Sequence, residues 1–257
     1  MVHHSGLFVP PSFPAHSILK LVPGLALLSL GLLLSACGAA SAPSPKARPS
    51  AVPTEPSLAP PRPGAYAALG ASETYGVGAE PHTSGYAWLV ARGLRVHYYV
   101  NVGIPGTTLS AGYDSELPRA LTIRPILSSV FFGVNDILAG VTREAFLSDL
   151  SDLVGTLRRA HSRVLIIGMP DLSQVPAVRR TGIGGLRDLT LSWNRGMRRV
   201  AQRRGAVFLD LVGYDREIAA HPGYISPDGL HPSNAGYARL SQVVLQTIER
   251  RRLWRGA

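Results

Sequence analysis

Ala65-Tyr66-Ala67-Ala68-Leu69-Gly70-Ala71-Ser72-Glu73-Thr74-Tyr75-Gly76 begins as an apolar run and breaks at a glycine. The uncharged segment Ala65 to Leu69, stopped by Gly70, reads as a short buried strand. Small and hydroxyl-bearing residues follow at once, with Ser72 first among the hydroxyls. Open α/β sheets place ligands at the carboxyl ends of their strands, and Ser72 stands at such an end. A serine there equally suits a helix cap or a turn. Its meaning depends on whether the chain also supplies a base, an acid to orient that base, and donors for an oxyanion.

Towards the C-terminus, strand patterns alternate with helical ones. Gly85 to Gly93 reads as a helix, Arg95 to Val100 as a second strand, and Asn101 to Thr108 as a loop. Leu117 to Leu121 reads as a short helix and Ile126 to Phe132 as a third strand. Thr142 precedes a helix with Phe146, Leu150, Leu153, Val154 and Leu157 on one face. Val164 to Gly168 is a fourth strand, the glycine-rich stretch Leu172 to Gly185 is irregular, and a helix from Leu186 to Val200 follows. Ala206 to Leu211 is a fifth strand, and Ser233 caps a last helix carrying Tyr237, Leu240, Val244 and Ile248. Five strands alternating with about five helices argue for one α/β domain, a three-layer α/β/α sandwich around a five-stranded, mainly parallel sheet.

Polar residues collect at the strand ends in four blocks: Leu69 to Thr74, Asn101 to Gly106, Gly133-Val134-Asn135-Asp136, and Asp228-Gly229-Leu230-His231-Pro232. Taken in this order, with a strand before each of the first three, they resemble the SGNH/GDSL hydrolase superfamily over Tyr66 to Ile248. The resemblance implies a flavodoxin-like fold and acyl transfer to Ser72. A serine hydroxyl is a weak nucleophile without a base. His231 has the chemistry to take its proton and return it to the leaving group. In a tight Asp-x-x-His turn, Asp228 bonds the far ring nitrogen and fixes the tautomer. The resemblance further implies three oxyanion donors: the Ser72 N–H, the Gly106 N–H and the Asn135 side-chain amide. Gly103 is an alternative donor, although alignment from Asn101 favours Gly106. The chain departs from the family pattern at Ala71, where aspartate is usual, and at Pro105, where serine is common. Losing that aspartate removes no catalytic group; the change bears on the order of the serine loop more than on the chemistry.

The reading requires no metal or cofactor. His82, His97, His161 and His221 lack paired acidic ligands at metal spacing, and the glycine clusters at 76–78 and 182–185 lack a nucleotide-loop context. An ester hydrolase is the first reading. An acyltransferase or carbohydrate O-deacetylase would use the same residues, and a non-catalytic envelope-binding protein could keep the fold.

On the N-terminal side, Lys20 precedes an apolar segment, Leu21 to Leu34, which runs into Leu34-Ser35-Ala36-Cys37. That order describes a secretory signal, and its last four residues resemble the lipobox of bacterial lipoproteins. By that resemblance, residues 1–37 are a signal, Cys37 is the lipidation site, and the protein is exported and anchored to the outer face of the cell membrane. The alternative is a spanning helix, for which Leu21 to Gly38 is barely long enough. Residues 38–63, rich in Pro, Ala and Ser, read as a semi-rigid spacer; the hydrolase domain is expected over 64–257. Cys37 is the only cysteine, which excludes an intrachain disulfide framework. The net charge of +10 comes almost entirely from arginine. No zinc spacing or helix-turn-helix pattern accompanies it, so an ester substrate and a membrane surface are the expected partners, without nucleic acid.

Overall fold

In the computed structural model the described residues are 62–254. The signal, Cys37 and nearly all of the spacer lie outside them. The alternating pattern becomes β1 (Arg62–Gly70), α1 (Ser72–Tyr75), α2 (Tyr86–Leu94), β2 (Val96–Asn101), α3 (Leu109–Ser115), α4 (Leu117–Leu121) and β3 (Leu127–Phe131). These are followed by α5 (Val134–Leu138), α6 (Arg143–Arg159), β4 (Arg163–Ile167), α7 (Pro176–Arg179) and α8 (Leu186–Arg204). The chain continues as β5 (Val207–Leu209), α9 (Asp215–Ala220) and α10 (Asn234–Arg250). The long helices sit where their apolar periodicity predicts. Thr142 and Ser233 cap α6 and α10 by accepting from Ala145 N–H and Gly236 N–H. The short helices α1, α3, α5, α7 and α9 lie in stretches where the sequence reading expects no helix, because they span too few residues to display a helical period.

All strand pairs are parallel, in the order β2-β1-β3-β4-β5. Successive residues of β1 face opposite ways. Tyr66 and Ala68 join Tyr86, Val90, Tyr237, Val244 and Ile248 in one apolar layer, contributed by α2 and α10. Ala67 and Leu69 join Phe146, Leu150, Leu153, Trp193 and Met197 in the other, contributed by α6 and α8. The result is the three-layer α/β/α sandwich. Two serines in the buried β3 are satisfied across the sheet: Ser129 Oγ lies 2.7 Å from the Tyr66 hydroxyl and Ser128 Oγ 2.8 Å from Ser162 Oγ. Among the described residues no helix is long and apolar enough to cross a membrane.

The strand order positions the site. After β1 the chain goes to one side to form β2 and then crosses to the other to form β3. Their connections therefore leave the sheet in opposite directions and open a crevice between the carboxyl ends of β1 and β3. Gly70 pairs with Phe131, so the segments bearing Ser72 and Asn135 leave the sheet at one level, on either side of that crevice.

Candidate active site

Ser72 is the first residue of the one-turn helix α1, and its side chain is buried. Its N–H, at the head of that turn, has no carbonyl partner among the described residues. Its Oγ donates to Glu73 Oε2 at 3.3 Å. No hydrogen bond joins Ser72 Oγ to His231 among the described residues.

Asp228 and His231 share one turn. Asp228 Oδ2 lies 2.6 Å from His231 Nδ1, while Oδ1 accepts from Ser226 Oγ and from the N–H groups of Leu230 and His231 at 2.7–2.9 Å. Partial burial pushes the Asp228 carboxyl up, but the hydrogen bonds from His231, Leu230 and Ser226 outweigh it and hold the group well below the usual carboxylate range. A carboxylate so supplied with donors stays ionised and fixes the imidazole with Nδ1 as its donor.

This turn packs directly on the loop that follows Ser72. Gly78 has φ +88°, and a Cβ there would come within 2.6 Å of the Pro232 carbonyl and 3.1 Å of His231 Cβ. Glycine is the residue that permits this approach. Nearby, the Tyr237 hydroxyl donates to the Val77 carbonyl at 2.7 Å, and Asn234 pairs with the Glu80 backbone through two hydrogen bonds. The Ser72 loop and the Asp228–His231 turn are thus joined through residues 77–80 on one side and 231–237 on the other.

The second block folds as a tight turn. Thr107 N–H donates to the Ile104 carbonyl at 3.2 Å, with Pro105 and then Gly106 at the centre and Gly106 at φ +79°. Proline followed by a left-handed glycine is the preferred filling of a type II turn, so Pro105 suits the backbone it occupies. Gly106 is exposed, a Cβ there would meet nothing within 4 Å, and its N–H has no partner among the described residues. Gly103 N–H, in contrast, is taken by Asn101 Oδ1 at 3.0 Å. Of the two glycines, Gly106 has the available donor. Asn135 reaches the same turn: its Nδ2 donates to the Thr107 carbonyl at 2.9 Å, which leaves the second amide hydrogen for another acceptor. Behind it, the buried Asp136 Oδ1 accepts from Leu109 N–H at 2.9 Å and anchors the start of α3. Burial pushes the Asp136 carboxyl up, against the pull of that N–H.

Beside these groups a mostly apolar cavity of about 110 Å³ runs under α9 towards α10. Glu73, Leu230 and Pro232 line it next to the site, and Leu172, Ile218 and Leu240 are among its apolar walls. A single water needs roughly 10–15 Å³ by this measure, so the space exceeds that of a trapped solvent molecule.

The sequence model of the GDSL-like Lipase/Acylhydrolase family matches residues 68–239, from the middle of β1 into α10. The chain belongs to the GDSL-like lipase/acylhydrolase family. It is an ester hydrolase of the SGNH/GDSL type. Solved structures similar to this GDSL enzyme include TesA, with TM-score 0.61 and 23% identity over 74% of this chain and 99% of that one. The acetylxylan esterase Axe2 from Geobacillus stearothermophilus has TM-score 0.59 and 19% identity over 72% of this chain and 94% of its own. A two-domain esterase, CEX, active on acetylated mannans, has TM-score 0.59 and 22% identity over 74% of this chain and 49% of its own. Among curated protein sequences none matches.

Reading the GDSL chain by sequence alone misses three features of the site. The Ser72–Glu73 contact has no pattern to announce it. Gly78 is visible only as part of a glycine cluster, since its meaning comes from a partner about 150 residues away. Glu116, fully buried behind the crevice, carries a signal: it is an acid between Tyr113, Leu117 and Ala120, on a helical face that is otherwise apolar.

Proposed function

We propose that the protein hydrolyses carboxylic esters with Ser72 as nucleophile, His231 as general base and Asp228 as the acid that orients it. The observation that carries this reading is the 2.6 Å Asp228–His231 pair packed through Gly78 onto the serine loop. In the mechanism, His231 takes the Ser72 proton as Oγ attacks the ester carbonyl, and the proton then passes to the departing alkoxide. The Ser72 N–H, the Gly106 N–H and the second hydrogen of Asn135 face the developing oxyanion, each such donor being worth roughly 3–4 kcal/mol of barrier. Water, deprotonated by the same imidazole, releases the acyl group and regenerates the serine.

The apolar cavity beside Glu73 and Leu230 favours esters with an aliphatic acyl chain over acetyl esters of sugars. A sugar acetate would leave this space unused. The test uses a fluorophosphonate probe and a series of p-nitrophenyl esters. Wild type is expected to label and Ser72→Ala is not; labelling of Ser72→Ala would move the nucleophile elsewhere. Butyrate to octanoate should exceed acetate in kcat/KM. Preference for acetate would favour the deacetylase reading, and activity only with an alcohol acceptor would favour an acyltransferase.

We also place the enzyme outside the cytoplasm, held to the cell membrane by acylation of Cys37 after removal of residues 1–36. The support is the order of charge, apolar run and Leu34-Ser35-Ala36-Cys37. Cys37→Ser is expected to move the protein from the membrane fraction to the soluble one. Retention in the membrane would instead support a spanning segment.

A further inference from the structure

Glu116 is a charged residue type with no exposure, placed at the junction of α3 and α4. Buried carboxyls are rare unless something holds them. Here Oε2 accepts from Gly70 N–H at 2.8 Å, at the last residue of β1 and two residues before Ser72. Ile104 N–H, two residues before Gly106, also faces the carboxyl while donating to the Gly70 carbonyl at 3.0 Å. The other oxygen, Oε1, is buried with no hydrogen-bond partner among the described residues. Gly112 and Phe132 close the space around it: a Cβ on Gly112 would lie 3.4 Å from Oε1 and under 3 Å from the Phe132 ring.

The end of the Ser72 turn is held by Asn101 Nδ2, which donates to the Thr74 carbonyl at 2.6 Å, whereas the start of the turn has no such side-chain tie. Ala71 has a single methyl, and no side chain caps the turn that opens with Ser72. We propose that Glu116 is a positioning residue, tying the segment that presents Ser72 to the segment that presents Gly106 so that nucleophile and oxyanion donor keep a fixed separation. This rests on the triad reading above. Glu116 touches no reacting atom. It acts through two backbone N–H groups, each two residues upstream of a group the chemistry uses.

The chemistry of the tie is pH-dependent. Burial pushes the Glu116 carboxyl up to about 8, opposed by the Gly70 and Ile104 N–H groups and by the charge of Arg119 on α4. On α2, the Tyr86 phenol is pushed up to about 12, chiefly by burial and in small part by the charges of Glu73 and Glu116, so it stays neutral in the working range. Below pH 8 the group is a neutral acid whose Oε2 still accepts from Gly70. Above it, the bond becomes charge-assisted and tighter.

The experiment compares full-length wild type, Glu116→Gln and Glu116→Leu by kinetics on p-nitrophenyl butyrate from pH 6 to 10, and by amide NMR of Gly70 and Ile104. Glu116→Gln keeps an acceptor oxygen. It is expected to stay within about threefold of wild-type kcat at pH 7 and to lose any inflection near pH 8. Glu116→Leu removes the acceptor and is expected to lower kcat roughly 10- to 100-fold with KM nearly unchanged. The Gly70 and Ile104 amide signals should titrate near pH 8 in wild type and stay flat in Glu116→Gln. A Glu116→Leu variant with wild-type kcat overturns the proposal, as do Gly70 and Ile104 signals that titrate identically in wild type and Glu116→Gln. If those amides follow Glu116 while wild type neither labels nor turns over, the tie stands and the triad reading fails.

Discussion

Gly78 shows how one residue holds the two halves of the site together. It donates no group to the chemistry, yet its missing side chain lets the His231 turn rest on the serine loop. Gly78→Ala forces a methyl to within 2.6 Å of the Pro232 carbonyl at a φ of +88°, so the imidazole must shift. Misplacement by an ångström costs on the order of 100-fold in rate, and we expect a kcat loss of that size with an unchanged circular dichroism spectrum. Asp228 is the complementary case. Its carboxyl is held below the usual range despite partial burial, so it remains ionised throughout the assay range. Asp228→Asn keeps an acceptor for the two backbone N–H groups but offers His231 Nδ1 the wrong partner. A kcat loss of roughly 100- to 10,000-fold is expected, by steady-state assay.

At the scale of elements, the two capped helices make a controlled comparison. Thr142→Ala and Ser233→Ala each remove a side-chain acceptor from a helix start and should each cost about 1 kcal/mol in denaturant titrations. Only Ser233→Ala should also reduce kcat, because α10 begins immediately after the His231 turn. The junction of α3 and α4 carries a stability signature of its own. The Glu116 carboxyl is raised from 4.5 to about 8 in the folded protein, whereas the unfolded chain loses its proton near the ordinary value. Between these pH values the folded form binds more protons, so this contribution is fullest below 4.5 and is lost as pH rises through 8. By calorimetry, Tm should fall more from pH 5 to 8 in wild type than in Glu116→Gln.

These elements also show what could be read without a structure. The long helices α6, α8 and α10 repeat their apolar residues over several turns, and the central strands are bounded by glycine or proline, so both are visible as local patterns. Ser72, Gly106, Asn135, Asp228 and His231 are visible because each sits in a short block at the end of a strand or before a helix. The turn at Pro105-Gly106 already carries the residues its backbone demands. Glu116, Gly78 and the cavity under α9 are different in kind. Each depends on an approach between segments far apart in the chain, and no local spacing encodes that approach.

For the molecule as a whole, the placement of charge follows from the way a parallel sheet is wound. Each helix runs back against its strand, which brings the last turns of α6, α8 and α10 to the edge where the strands begin. Those turns hold Arg158, Arg159, Arg203, Arg204 and Arg250, where cations oppose the negative helix ends. Arg163, at the start of β4, and Arg251 and Arg252 lie together there with Arg158. A protein lacking residues 1–61 should cosediment with anionic vesicles at low salt and dissociate as ionic strength rises; binding independent of salt would remove the electrostatic account.

The direction of β1 gives this arrangement a further meaning. The strand enters at Arg62 on the arginine-rich edge and ends at Gly70 beside Ser72, a span of roughly 26–27 Å at the usual rise per residue. With the proposed anchor at Cys37, the chain would enter the domain at the edge opposite the crevice. On that proposal, the arginine-rich edge would be the part of the domain joined to the anchor, and Ser72 the part reached by esters arriving from the surroundings.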